Sequence, residues 1–81
     1  MRVTVVCFGA LKEHLPDDAE QGRAELDVEG AASVRDIVTL LGAPERLIHS
    51  VLVDGARVEL SQELTEGAEV TLMPPFAGGS S

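Results

Sequence analysis

One stretch of this chain is long enough, and regular enough in its apolar spacing, to form a full helix, and that single helix limits what the rest can become. Val34, Ile37, Val38 and Leu41 recur at helical spacing and make one apolar stripe. Ser33 followed by Asp36 resembles a capping box with Asp in place of the usual Glu. Gly42 supplies a left-handed stop, with Pro44 just beyond it. The main helix is therefore predicted over Val34 to Leu41. Pro44 to Leu47 adds a single turn, because proline suits a first helical position. One stripe covers one sheet face, so the other apolar segments must supply that sheet.

Those segments read as short strands. Val3 to Phe8 is β-branched and apolar on both alternating faces, ends at Gly9, and is predicted as a central strand. Gly9 to Leu15 carries good helix formers before Pro16, which predicts a short helix with Leu11 and Leu15 turned inward. Ala24 to Val28 alternates with period two and should pair with the first strand. Val51-Leu52-Val53 and Arg57 to Leu60 flank Asp54-Gly55-Ala56, and Asp-Gly between apolar runs predicts an antiparallel hairpin. A turn at Glu66-Gly67 leads into Val70 to Met73, halted by Pro74-Pro75. The expected fold is α+β, a helix grasped by a mixed sheet of about five strands, with a short second helix. Residues 1–75 form that domain, and residues 76–81 form a flexible tail.

The chain has 81 residues, room for one domain and a modest core, since so short a chain buries only about 60% of its unfolded surface. With 2% aromatic residues and no Trp or Tyr, that core must be aliphatic. Fourteen acidic against six basic residues give a net charge of -8, which repels phosphate backbones and anionic lipid surfaces. Nucleic acid and membrane are therefore not expected as partners, whereas a basic protein surface is suited; solubility alone also accounts for the charge. The segment Met1 to Phe8 is too short for a signal-peptide core, and no apolar run approaches the roughly 20 residues that cross a bilayer. The single cysteine, Cys7, lies in an apolar run, excludes an internal disulfide framework and suits a reducing cytoplasm.

The chemistry concentrates after Pro75, where Phe76-Ala77-Gly78-Gly79-Ser80-Ser81 has little to hold it to a core. The steps from Pro75 to Gly79 extend about 13 Å at about 3.3 Å each, enough to enter a narrow channel in another protein. Two glycines let a backbone thread such a channel and approach a nucleotide or sulfur donor closely. A terminal carboxylate needs its oxygen made a leaving group, as adenylation does, before a nucleophile can attack. By composition alone, Gly78-Gly79 followed by two serines reads as a flexible tail or an addition to the native chain.

The context adds to this. Val5 to Glu13, the helix from Ser33, Val51-Leu52-Val53-Asp54-Gly55, Leu64 to Val70, and Pro74 to Gly79 occur together in one order and spacing. Over nearly its whole length the chain resembles the MoaD/ThiS family of ubiquitin-like β-grasp sulfur carriers, and more closely the small subunit of molybdopterin synthase. The resemblance implies that Gly79 bears a carboxylate which a ubiquitin-activating-type adenylyltransferase activates with ATP and which becomes a thiocarboxylate. It implies that Gly78 gives clearance, and that Pro74, Pro75, Phe76 and Ala77 present the tail to partners. The carrier binds no cofactor itself, and its partners supply the catalysis. The implied acceptor is a larger enzyme such as the molybdopterin synthase large subunit, working on the dithiolene of molybdenum cofactor. Thiamin, cysteine or secondary-metabolite synthesis, protein modification through isopeptide bonds, and a non-catalytic β-grasp binding module are the alternatives. Ser80-Ser81 departs from the family pattern, in which the chain ends at the second glycine. They are either an extension that a protease removes or an addition to the native chain, and the functional form is expected to end at Gly79.

Other residues carry less. His14 and His49 lie far apart with no Cys or carboxylate cluster at ligand spacing, so no metal site is expected. Cys7 has no adjacent base and reads as a core thiol. No Gly-x-Gly-x-x-Gly or Walker-type loop is present. Thr4, Val6 and Phe8 fall on the opposite face of the first strand from Val3, Val5 and Cys7. One helix cannot cover both faces, so this second face is either covered by the short helix and loops or left as a docking patch.

Overall fold

The computed structural model describes residues 1–29 and 32–75. Strand β1 (Arg2–Cys7) is followed by a 3-10 helix (Gly9–His14), β2 (Arg23–Asp27), helix α1 (Val34–Leu41), a short 3-10 turn (Glu45–Leu47), and strands β3 (Ser50–Val53), β4 (Ala56–Val58) and β5 (Glu69–Met73). They form one five-stranded sheet in the order β2-β1-β5-β3-β4. β1 and β5 run parallel, while β1–β2, β3–β4 and β3–β5 are antiparallel. The mixed sheet and single main helix are those expected from the sequence, with β1 interior and β5 at the centre.

Helix α1 occupies the predicted span because each of its signals is local. The Ser33 hydroxyl accepts from the Asp36 N–H at 3.4 Å, and the Asp36 carboxylate accepts from the Ser33 N–H at 3.1 Å, so the capping box forms with Asp in the Glu role. Gly42 ends the helix with φ of 73°. Two further amides at the helix start are satisfied from outside: Val34 N–H donates to the Gln62 carbonyl and Arg35 N–H to the Leu60 carbonyl, each at 2.9 Å.

That second arrangement corrects the expected hairpin. Asp54 and Gly55 have φ of 52° and 88°, and a two-residue turn with both φ positive suffices to join the strands. Ala56 therefore pairs with Val53, and β4 ends at Val58 rather than Leu60. Leu60 serves the helix start instead. Pro44 likewise caps the Glu45–Leu47 turn from outside, with an extended backbone, rather than opening it.

The core is aliphatic, as composition required. Val3, Val5 and Cys7 of β1, Val70 and Leu72 of β5, and Val51 of β3 meet Val34, Ile37 and Val38 of α1 in one buried cluster. Leu11 of the 3-10 helix joins the same cluster fully buried, and Leu15 packs at its margin half-buried. Both helical elements thus serve the same side of the sheet.

Candidate functional site

Because β1 and β5 are parallel, their C-terminal ends emerge side by side. Phe8 N–H donates to the Leu72 carbonyl at 3.2 Å, extending the pairing just beyond β1. The chain leaves β5 at Met73 and passes into Pro74, which is buried, and Pro75, which is exposed. Gly9 lies under this exit with φ of +57°, and a Cβ placed on it would stand 3.0 Å from the Pro74 ring. Glycine is needed there twice over, for the backbone angle and for the close approach. The opposite flank is tied down by His49 N–H, which donates to the Met73 carbonyl at 2.7 Å. The root of the tail is thus fixed by two neighbours. The remaining tail residues singled out from the sequence, Phe76, Ala77, Gly78 and Gly79, lie outside the described residues.

The face of the sheet away from α1 meets this exit. Strand register fixes its composition: Val6 of β1 pairs with Thr71 of β5, which pairs with Leu52 of β3. Arg23 of β2 stands beyond Val6, and Arg57 of β4 beyond Leu52. Met73 and Phe8 continue the apolar area toward the exit, Phe8 being 44% exposed. At the other end the face turns polar, with Thr4 between Glu25 and Glu69. Arg23 and Glu69 form an ion pair of 2.6 Å there, and Arg2 reaches Asp27 and Glu25 at 3.3 and 3.5 Å. Hydrogen bonding to Asp27, then attraction from Asp27 and Glu25, raises the pKa of Arg2. These exposed pairs add little stability but order the charges along one end.

Of the two readings of this second face, cover by the short helix is not what forms: among the described residues Leu11 and Leu15 pack on the core side, and Val6, Leu52, Thr71 and Met73 are left half-buried beside the exposed Phe8. Sequence parity identified Val6 and Phe8. Leu52, Thr71 and Met73 were missed, since their side depends on a pairing register that spacing alone does not reveal.

The remaining candidates fall where their surroundings dictate. Cys7 is 2% exposed, and burial pushes its thiol up to about 11, so it is a core residue rather than a nucleophile. His14 ends the 3-10 helix and His49 precedes β3. Among the described residues no group of three or more His, Cys, Asp or Glu is arranged to hold a metal ion. No helix of the described residues is long and apolar enough to cross a membrane.

Comparison with solved structures agrees with the architecture. SAMP1 from Haloferax volcanii is 27% identical over 98% of this chain and 100% of its own, with a TM-score of 0.69. A Pyrococcus furiosus protein assigned as molybdopterin converting factor, subunit 1, is 21% identical over 93% of this chain and 98% of its own, with a TM-score of 0.67. The complex of subunits 1 and 2 of molybdopterin-converting factor from Helicobacter pylori contains a chain 19% identical over 98% of this chain and 100% of that one, with a TM-score of 0.61. The last two likenesses are of fold. Among curated proteins none matches the chain. The resemblance to ubiquitin-like β-grasp proteins of the MoaD kind therefore holds in fold. One family model, described as Mut7-C ubiquitin, matches residues 1–79, and the chain belongs to that family.

Proposed function

We propose that this protein is a sulfur carrier that works through Gly79. In the functional form Ser80-Ser81 are absent and the Gly79 carboxylate is terminal. A ubiquitin-activating-type adenylyltransferase lets that carboxylate attack the α-phosphorus of ATP, expelling pyrophosphate. A sulfide nucleophile then forms the C–S bond as the C–O bond to AMP breaks, leaving a thiocarboxylate. A larger enzyme accepts the sulfur, molybdopterin synthesis being the favoured destination. The protein supplies the reactive end and its presentation; the partners supply the catalysis.

The observation that carries this reading is the shared placement of tail root and apolar face. Pro74 and Pro75 leave the sheet beside Phe8 and Met73, so a partner seated on Val6, Leu52 and Met73 stands where the following residues emerge. The match to the family model takes in both glycines and stops at Gly79. The fold shared with a protein assigned as subunit 1 of a molybdopterin converting factor, and with a chain of a complex of subunits 1 and 2, supports a larger acceptor.

The test is intact-mass spectrometry of the protein ended at Gly79, incubated with its activating enzyme, ATP and a sulfide source. Replacement of one oxygen by sulfur is expected in that form, and none in the chain that keeps Ser80-Ser81. A Gly79-terminated form that never gains the sulfur would sink the reading. The likeness to a small archaeal modifier protein, 26% identical over 93% of this chain, favours a second outcome. There a lysine amine attacks the same activated Gly79, giving an isopeptide-linked product on another protein and no stable thiocarboxylate.

A further inference from the structure

The sheet has two margins, and they differ. β4 has three residues, whereas β2 has five and lies beside a groove. Val28 and Met1 exchange hydrogen bonds of 2.8 Å in both directions, and Cys7 N–H donates to the Gly22 carbonyl at 2.8 Å. In a regular antiparallel ladder this phase turns the peptide groups of Leu26 and Ala24 toward β1 and those of Arg23, Glu25 and Asp27 outward. Arg23 finds a partner, exchanging two bonds of 3.0 Å with Glu20. Among the described residues the outward N–H and C=O groups of Glu25 and Asp27 have none.

Between this edge and α1 lie two adjoining depressions of about 340 and 410 Å3 that share Asp27 and Leu40. Leu15, Leu26 and Leu41 give the first an apolar floor. Val28 and Ala32 line the second, whose rim carries Glu29, Asp36, which also caps Ser33 N–H, and Asp27, which pairs with Arg2 at 3.3 Å. Leu40 stands between them 64% exposed, although Ile37 and Val38 of the same helix are 0% and 1% exposed. An outward leucine beside open backbone groups and an acidic rim is more than a solvated helix face requires.

We propose that the β2 edge and the groove it shares with α1 form a strand-addition site for an extended segment of a partner protein, with apolar side chains at alternate positions and Lys or Arg at its flanks. The peptide groups of Glu25 and Asp27 supply the ladder, Leu15, Leu26, Leu40 and Leu41 receive alternate side chains, and the acidic rim attracts the basic flanks. A second copy of this chain is the wrong occupant: it would bring the same groove, with Glu29 and Asp36 on its rim, against itself, on molecules each carrying -8. The site lies toward the start of β1, because Leu26 pairs with Val3. The tail leaves beyond β1's other end, so this site is independent of the chemistry proposed for Gly79.

The test uses a synthetic peptide of four alternating valines and leucines with two lysines at each end, titrated into isotope-labelled protein and followed by NMR. Amide exchange at Glu25 and Asp27 should slow at least tenfold on saturation, with shifts at Leu26 and Leu40. L40K should weaken binding tenfold or more without lowering the melting temperature, and glutamate-flanked peptide should bind at least tenfold more weakly. Unchanged exchange at Glu25 and Asp27 in millimolar peptide would overturn the proposal. So would shifts confined to Val6, Leu52 and Met73, or equal binding of the acidic peptide.

Discussion

Cys7 closes β1 with 2% of its surface exposed, and loss of solvation raises its thiol from near 9.0 to about 11. The folded protein therefore holds this proton where the unfolded chain has begun to release it. Stability from this group is complete below pH 9 and is lost as pH rises toward 11, because the unfolded state there binds fewer protons. Urea midpoints measured across that range should fall faster for the native sequence than for Cys7→Ala, whose reference has no thiol to ionise. Parallel curves for the two would show that Cys7 ionises as readily folded as unfolded. The residue's role was legible because an apolar run on both sides leaves a thiol no base and no water. Gly9 was legible as a strand stop and as the start of the short helix, but not as the residue that makes room for Pro74: that approach joins residues far apart in the chain, and no local pattern announces it.

Among the elements, α1 was the most legible, since cap, stripe and stop all lie within its own sequence. Its start also draws on Leu60 and Gln62, whose carbonyls accept from Arg35 and Val34. That borrowing is why β4 stops short of its apolar pattern, and no window around residue 60 could reveal it. The capping box and the borrowed carbonyls satisfy different amides, so one does not replace the other. Ser33→Ala should therefore cost about 1 kcal/mol of unfolding free energy, the usual loss of a side-chain cap. Denaturant unfolding would read it as a lower midpoint at unchanged slope. A loss below about 0.3 kcal/mol would mean the Leu60 and Gln62 carbonyls hold the helix start alone.

At the scale of the whole molecule, the two sides of the sheet have separate duties. The core side took the aliphatic stripe of α1 and with it most of the sequence's readable periodicity. The outer side was only half readable, because Val6 and Phe8 declare themselves by alternation while Leu52 and Met73 join them only through the β1–β5–β3 register. If a partner grips this face while receiving the tail, a charge placed on it should hinder loading of Gly79 without harming the fold. Phe8→Asp is the suitable change, since Phe8 is already 44% exposed and lies beyond the last residue of β1. Sulfur loading, followed by intact mass at limiting activating enzyme, should slow tenfold or more, with a melting temperature close to the native one. L40K, altered on the helix side, should load at the native rate in the same assay. Loading of Phe8→Asp at the native rate would mean the enzyme recognises the tail without the face. The shared position of patch and exit would then be a consequence of parallel β1–β5 pairing alone, since that pairing places Met73 and Phe8 together whether or not a partner uses them.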